Sequence, residues 1–203
     1  MVLHSRLGSY DAPDPLACAA FLLLAFVLAG FAHTAWLSSR ASRRFAIPLD
    51  CGKTWRGKRI FGANKTLRGF MVMIPAAAGS FVFLAALAAT HPALFSRLWP
   101  LEPQSYAFLG FAAGAGFMAG ELPNSFVKRQ LGIEPGAPAA TPLTRAAFYA
   151  ADRIDSIAGM LCAVSLLVPT PWLTWLYLAL LGPVVHLAFS ALLYRCGVKG
   201  RAA

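Results

Sequence analysis

The sequence predicts an all-α, polytopic integral membrane protein with about five transmembrane helices and with cytoplasmic loops forming its active site. Three observations carry this prediction. The 203 residues are 58% hydrophobic and only 13% charged. The apolar residues fall in long uninterrupted runs instead of the alternating patterns of a soluble core. The basic residues cluster in the segments between those runs.

A helix needs roughly 20 apolar residues to cross a hydrocarbon core of about 30 Å. Segments 16–37 and 70–90 meet this with no Asp, Glu, Lys or Arg, and 172–194 is interrupted only by Gly182-Pro183 and His186. Two further runs are too short if read as purely apolar. They become spans at about 106–127 and 146–168 only by taking in Glu121 and the pair Asp152 and Asp155. The whole chain, 1–203, reads as one transmembrane domain. Its first span is expected to be an uncleaved helix, because the residues before it carry Arg6, Asp11 and Asp14 and form no basic leader.

The net charge of +10 follows this layout and not a nucleic-acid surface. Nine of the 18 Lys and Arg lie in the loop at about 38–69, four within 125–153 and three after Tyr194. With five spans, all three basic segments share one side, which the positive-inside bias makes the cytoplasm. The expected location is the cell (inner, cytoplasmic) membrane, with the N-terminus outside and the C-terminus and the loops 38–69 and 128–145 cytoplasmic. Isolated cations such as Arg43, Arg44 and Arg201 are read as orientation signals and anionic headgroup contacts. Cys18, Cys51, Cys162 and Cys196 show no disulfide or zinc spacing. His4, His33, His91 and His186 are isolated, and Trp36, Trp99, Trp172 and Trp175 fit an aromatic belt at the interfaces.

The first loop contains PLDCGKTWRGKRIFGANKTLRG, in which Lys-Thr-x-Arg-Gly occurs twice, twelve residues apart. Each copy, Lys53, Thr54 and Arg56 and then Lys65, Thr66 and Arg68, joins a cation, a hydroxyl and a planar guanidinium to a glycine that allows close backbone approach. That combination suits a polyphosphate. It is not a P-loop, which requires glycine where this chain has Ile47.

In GELPNSFVKRQLGI, Glu121, Asn124 or Ser125, and Lys128 stand at offsets of three, four and seven on one helical face, with Pro123 a candidate kink. A charged face on an apolar helix has to look into the bundle, since lipid exposure costs about 2.5 to 3.5 kcal/mol per charge at the bilayer centre. In YAADRIDS, Asp152 and Asp155 are three apart, on one face, with Arg153 turned away. Two carboxylates at that spacing suit a divalent cation, Mg²⁺ by default beside phosphate. Glu121 and Asp152 each lie six residues inside their spans, about 9 Å below the edge at about 1.5 Å per residue. Glu121, Asp152 and Asp155 are therefore expected to share one cavity and one metal site.

SFVKRQLGI followed by DRIDS resembles the signature of the CTP-dependent phosphatidate cytidylyltransferases, and the first loop resembles the shorter branch called CDP-archaeol synthases. The resemblance implies transfer of a cytidylyl group from CTP to a membrane lipid phosphate, archaetidic acid or phosphatidate, with release of pyrophosphate and a requirement for magnesium. It implies that Lys128, Arg129, Asp152 and Asp155 belong to the active site; Lys128, Asp152 and Asp155 are expected to be catalytic, with Arg129 and Ser125 among the phosphate-binding groups. The family usually has Asp where this chain has Glu121. The His-Gly-Gly element of the larger cytidylyltransferases is replaced by an Ala- and Pro-rich stretch after Ile133-Glu134-Pro135. No nucleic acid is implied, and a homodimer is compatible with the layout. Two other classes are open to the residues themselves: a small transporter or channel using intramembrane carboxylates, and a non-catalytic lipid-headgroup binder.

Overall fold

The computed structural model describes residues 12–197, so the readings that concern His4, Arg6, Asp11, Arg201 and the sidedness of the two termini lie outside the described residues. Five long helices carry the fold: α1 (Pro15–Ser38), α2 (Leu67–Ala89), α4 (Pro103–Gln130), α5 (Pro142–Ser165) and α6 (Trp172–Arg195), with a single turn α3 (Pro92–Phe95) between α2 and α4. The 23 to 28 residues of each exceed what a bilayer core requires.

Helix starts follow local chemistry. Proline occupies the first turn of α1, α3, α4 and α5, where its missing amide has no intrahelical partner to lose. Asp14 caps α1 by accepting from the Ala17 amide at 2.8 Å, and Thr141 caps α5 through the Thr144 amide at 3.2 Å. Helix α4 runs unbroken through Pro123 and continues past the expected boundary, so that Lys128, Arg129 and Gln130 stand on its last turn.

Only α1, α2 and α6 are apolar enough to span by composition, with mean hydropathies of 2.4, 2.2 and 2.0. The other two reach spanning length with their carboxylates included, as the sequence required. The close helix pairs are α1 with α2, α2 with α4, α4 with α5, α5 with α6 and α6 with α1, which closes a five-membered ring. Large apolar side chains such as Leu24, Phe31, Phe83, Phe108, Phe111 and Leu180 point outward, as expected where the surrounding solvent is lipid.

Glycines set the tightest crossings. A Cβ added to Gly110 would lie 2.8 Å from the Ala77 carbonyl oxygen of α2. Gly116 and Gly120 on α4 face Gly159 on α5 so closely that a Cβ at any of the three would overlap the opposing backbone. The apolar core occupies the half of the bundle remote from the first loop, where Phe21 meets Phe81 edge-on at 5.2 Å. Trp99 belongs to this core and not to an exposed belt. It is 1% exposed, its indole donates to the Pro169 carbonyl at 2.8 Å, and its own carbonyl accepts from the Tyr106 hydroxyl at 2.7 Å. Trp172 does face outward, 71% exposed.

The all-α expectation omits one feature. The first loop folds into a hairpin, β1 (Thr54–Trp55) against β2 (Lys58–Arg59). Arg56 and Gly57, at φ 51° and 78°, supply the two successive positive values that a tight two-residue turn demands.

The α4–α5 contact yields a test. Gly159→Val should lower the thermal unfolding midpoint in detergent, at the scale of an overpacking cost of about 1 to 3 kcal/mol. Gly79→Ala, where an added Cβ meets nothing within 4 Å, should leave it unchanged or raise it. Equal midpoints for both variants would contradict this packing.

Candidate active site at the loop ends of α4 and α5

Past Gly120 and Gly159 the two helices present polar faces to each other. Asn124 donates its amide to Asp152 Oδ1 at 2.7 Å and to Asp155 Oδ2 at 2.9 Å, so a single side chain of α4 spans both carboxylates of α5. One turn further on, Lys128 forms an ion pair with Asp152 and lies 5.3 Å from the Phe148 ring centroid. The Asp152 side chain is 44% exposed and Lys128 17%, so the cluster is part-exposed at Asp152 and more closely covered at Lys128. Arg153 points away, stacked on Tyr149 with its guanidinium carbon 3.1 Å from the ring centroid.

Glu121 stands one turn deeper and has different partners. It pairs with Lys65 from the loop and accepts from the Ser156 hydroxyl at 2.9 Å, while the Ser156 amide donates to Asp155 Oδ1 at 2.7 Å. Burial works against the Lys65 ammonium, but the facing Glu121 carboxylate more than offsets this and raises its pKa. Among the described residues no three His, Cys, Asp or Glu groups are gathered as one ion site; Glu121 is engaged by Lys65 and Ser156, as Asp152 is by Lys128 and Asn124. Asp152 and Asp155 remain together, an all-oxygen pair of the chemistry that a hard divalent cation takes.

Beside them Ser125 and Arg129 are each only 9% exposed. The Arg129 Nε and Nη1 atoms are buried without a hydrogen-bond partner, an uncompensated arrangement that suits an arriving anion. Gly62 fits over this guanidinium. A Cβ there would come 3.2 Å from Arg129 Cδ and 3.1 Å from Pro135 Cγ, and its φ of 87° already favours glycine.

The two Lys-Thr-x-Arg-Gly copies do not repeat in space. The second enters α2, with Thr66 at the N-cap, Lys65 on Glu121, and the Arg68 carbonyl accepting from the Trp36 indole at 3.1 Å. The first forms the hairpin, leaving Lys53, Thr54 and Arg56 exposed.

Sequence reasoning passed over the residue that organises this loop. The Asp50 side chain is fully buried. It pairs with Arg59 through Nε at 3.1 Å and through Nη2, and accepts from the amides of Gly52, Phe61 and Gly62 at 3.1, 3.0 and 2.9 Å. The available signal was its place between Pro48 and Gly52, where Asp side chains close turns by accepting backbone amides. Ser156, the last residue of DRIDS, was likewise not singled out.

Comparison with known proteins adds an independent finding. The family model described as CarS-like CDP-archaeol synthase matches residues 21–202. The CDP-archaeol synthase of Methanosphaerula palustris is 32% identical over 178 residues, covering 81% of this chain and 96% of that protein. The CDP-archaeol synthase of Pyrococcus furiosus is 31% identical over 150 residues, covering 73% and 78%. A solved structure described as an intramembrane enzyme for archaeal membrane lipids biosynthesis superposes with a TM-score of 0.52 at 28% identity, over 82% of this chain and 90% of that one.

The Arg59 guanidinium, foremost, and the three amides hold the Asp50 carboxyl well below the usual carboxylate range, against the opposing effect of burial. Its folded value lies below the unfolded one, so its stabilisation is complete above the ordinary range and is lost as pH falls through the lowered folded value. Loop protection should therefore persist through about pH 4, the unperturbed carboxylate range. Asp50→Asn should speed hydrogen exchange of the Phe61 and Gly62 amides at neutral pH by roughly 10-fold or more, the scale of a lost charged hydrogen bond of about 1.5 to 3 kcal/mol. Unchanged exchange in that variant would remove Asp50 from this role.

Proposed function

The chain belongs to the CDP-archaeol synthase family, and from that premise we propose that it transfers a cytidylyl group from CTP to a membrane lipid phosphate, giving a CDP-activated lipid of the CDP-archaeol type and pyrophosphate. The observation that carries this reading is the Asn124 amide spanning Asp152 and Asp155, with Lys128 alongside and Asp152 part-exposed. It supports a site for phosphate chemistry at the depth of the lipid headgroups. Family membership weighs against the transporter and headgroup-binder alternatives.

The acceptor already carries an anionic oxygen, so attack on the α-phosphorus of CTP needs no strong general base. One P–O bond forms from the lipid phosphate as the bond from the α-phosphorus to the oxygen bridging it to the β-phosphorus breaks, and pyrophosphate leaves with that oxygen. The task for the protein is positioning and charge stabilisation. Asp152 and Asp155 would hold Mg²⁺, which when bound neutralises charge on phosphate oxygens. Lys128 presents its ammonium at the water-facing edge, and Arg129, buried with unpartnered nitrogens, supplies a planar donor set for the polyphosphate. Glu121 serves to hold Lys65 in place beside the site. The positive-inside bias and the need for CTP support a cytoplasmic position for this end of the bundle.

Purified protein in detergent, given labelled CTP, Mg²⁺ and ether-linked archaetidic acid or phosphatidate, should form labelled CDP-lipid. Asp152→Asn should cost about 10²- to 10³-fold in kcat, the scale of losing one electrostatic stabiliser, with the protein still folded by a cooperative unfolding transition. Absence of CDP-lipid from any lipid phosphate would sink the enzyme reading, and full activity of Asp152→Asn would sink the metal site.

A further inference from the structure

The hairpin leaves its tip uncovered. Trp55 is 56% exposed, and with Arg56, Lys58, Phe126 and Gln130 it lines a cleft of about 550 Å³ between the hairpin and α4. The Lys58 ammonium donates to the Gln130 carbonyl at 2.5 Å, which joins the hairpin to the end of α4 beside the cleft. Arg56 is fixed at its rim by the turn, at φ 51°.

This cleft is on the other side of α4 from the carboxylates. Phe126 and Gln130 follow Asn124 and Lys128 by two residues, hence roughly 200° around a helix of 3.6 residues per turn. Phe126 also stands eighteen residues after Phe108, which is five full turns. The two rings therefore fall on one line along α4, and Phe108 is 53% exposed on the lipid-facing surface. That apolar line ends at the cleft, where two cations and an indole replace it. No acidic side chain is among the five lining residues.

We propose that the hairpin cleft docks an anionic phospholipid of the surrounding leaflet, separate from the lipid phosphate that reacts at Asp152. Arg56 and Lys58 take the headgroup phosphate, which fits the attraction of juxtamembrane cations to anionic lipid. Trp55 sits at the interfacial level where indoles are favoured, and one acyl chain runs along Phe126 toward Phe108. The occupant is thus amphipathic: a free phosphate would use the cations but not the apolar line. Docking ties the hairpin to the bilayer, and the hairpin carries the Arg59 that holds Asp50.

The full chain in phosphatidylcholine nanodiscs tests this with brominated lipids, which quench nearby tryptophan. The signal of wild type minus that of Trp55→Phe isolates Trp55. Brominated phosphatidylglycerol should quench it with about thirtyfold higher apparent affinity than brominated phosphatidylcholine, on the scale expected of two cations near the surface. Arg56→Asn, a residue that tolerates positive φ, combined with Lys58→Gln, which keeps a donor for Gln130, should reduce that preference to about twofold or less by removing both charges. Neither CTP nor inorganic phosphate should relieve the quenching. Equal quenching by the two lipids, an unchanged preference in the double variant, or relief by CTP or by phosphate would each overturn the proposal.

Discussion

A charge carried below the headgroups has to find a counter-charge or a hydrogen-bond donor inside the protein, and three contacts meet that requirement here: Lys65 with Glu121, Lys128 with Asp152, and the Asn124 amide across Asp152 and Asp155. Each joins two chain segments far apart in sequence. Together they pin the first loop to α4 and α4 to α5. Without a partner, a single such group would cost several kcal/mol, so the pairing that permits these residues in the membrane also assembles the site. The carboxylates could not be placed nearly as well on a mobile loop. Set on two closely crossed helices, they inherit the rigidity of the bundle.

The crossing itself depends on small residues. Gly116 and Gly120 against Gly159 let the α4 and α5 backbones touch, and one turn or so beyond that contact the short side chains of Asn124 and Asp155 can reach each other. Bulkier residues would separate the helices and break the bridge without touching any polar group. The apolar core around Phe21, Phe81, Trp99 and Tyr106 closes the opposite end, and Ala29, Met73, Ala77 and Met118 form a smaller apolar floor between it and the charged half.

Much of this was legible in the chain because the bilayer imposes a length. Spans α1, α2 and α6 declare themselves by apolar composition, and α4 and α5 reach the needed length only with Glu121, Asp152 and Asp155 inside, so the place of these carboxylates within the helices followed from counting. What distance along the chain could not reveal was partnership. Glu121 shares helical spacing with Asn124 and Lys128, yet its partners come from residues 65 and 156. The twinned Lys-Thr-x-Arg-Gly looked like one device used twice. Backbone context decides otherwise, since Arg56-Gly57 makes a turn with two positive φ values while Arg68-Gly69 enters a helix. Asp50 escaped notice because a lone carboxylate in a basic loop reads as solvent-facing until Arg59 and three amides close around it.

The pairing of charges within the leaflet is tested most directly by a double-mutant cycle on Lys65 and Glu121, measuring the unfolding midpoint and free energy in detergent for Lys65→Met, Glu121→Gln and the double variant. Each single change leaves one member of the pair without its partner, whereas the double change leaves a neutral contact. The account predicts that the double variant is more stable than the sum of the single losses by about 1 to 3 kcal/mol, the range for residues in direct contact. Losses that add to within about 0.5 kcal/mol, as for independent sites, would contradict it.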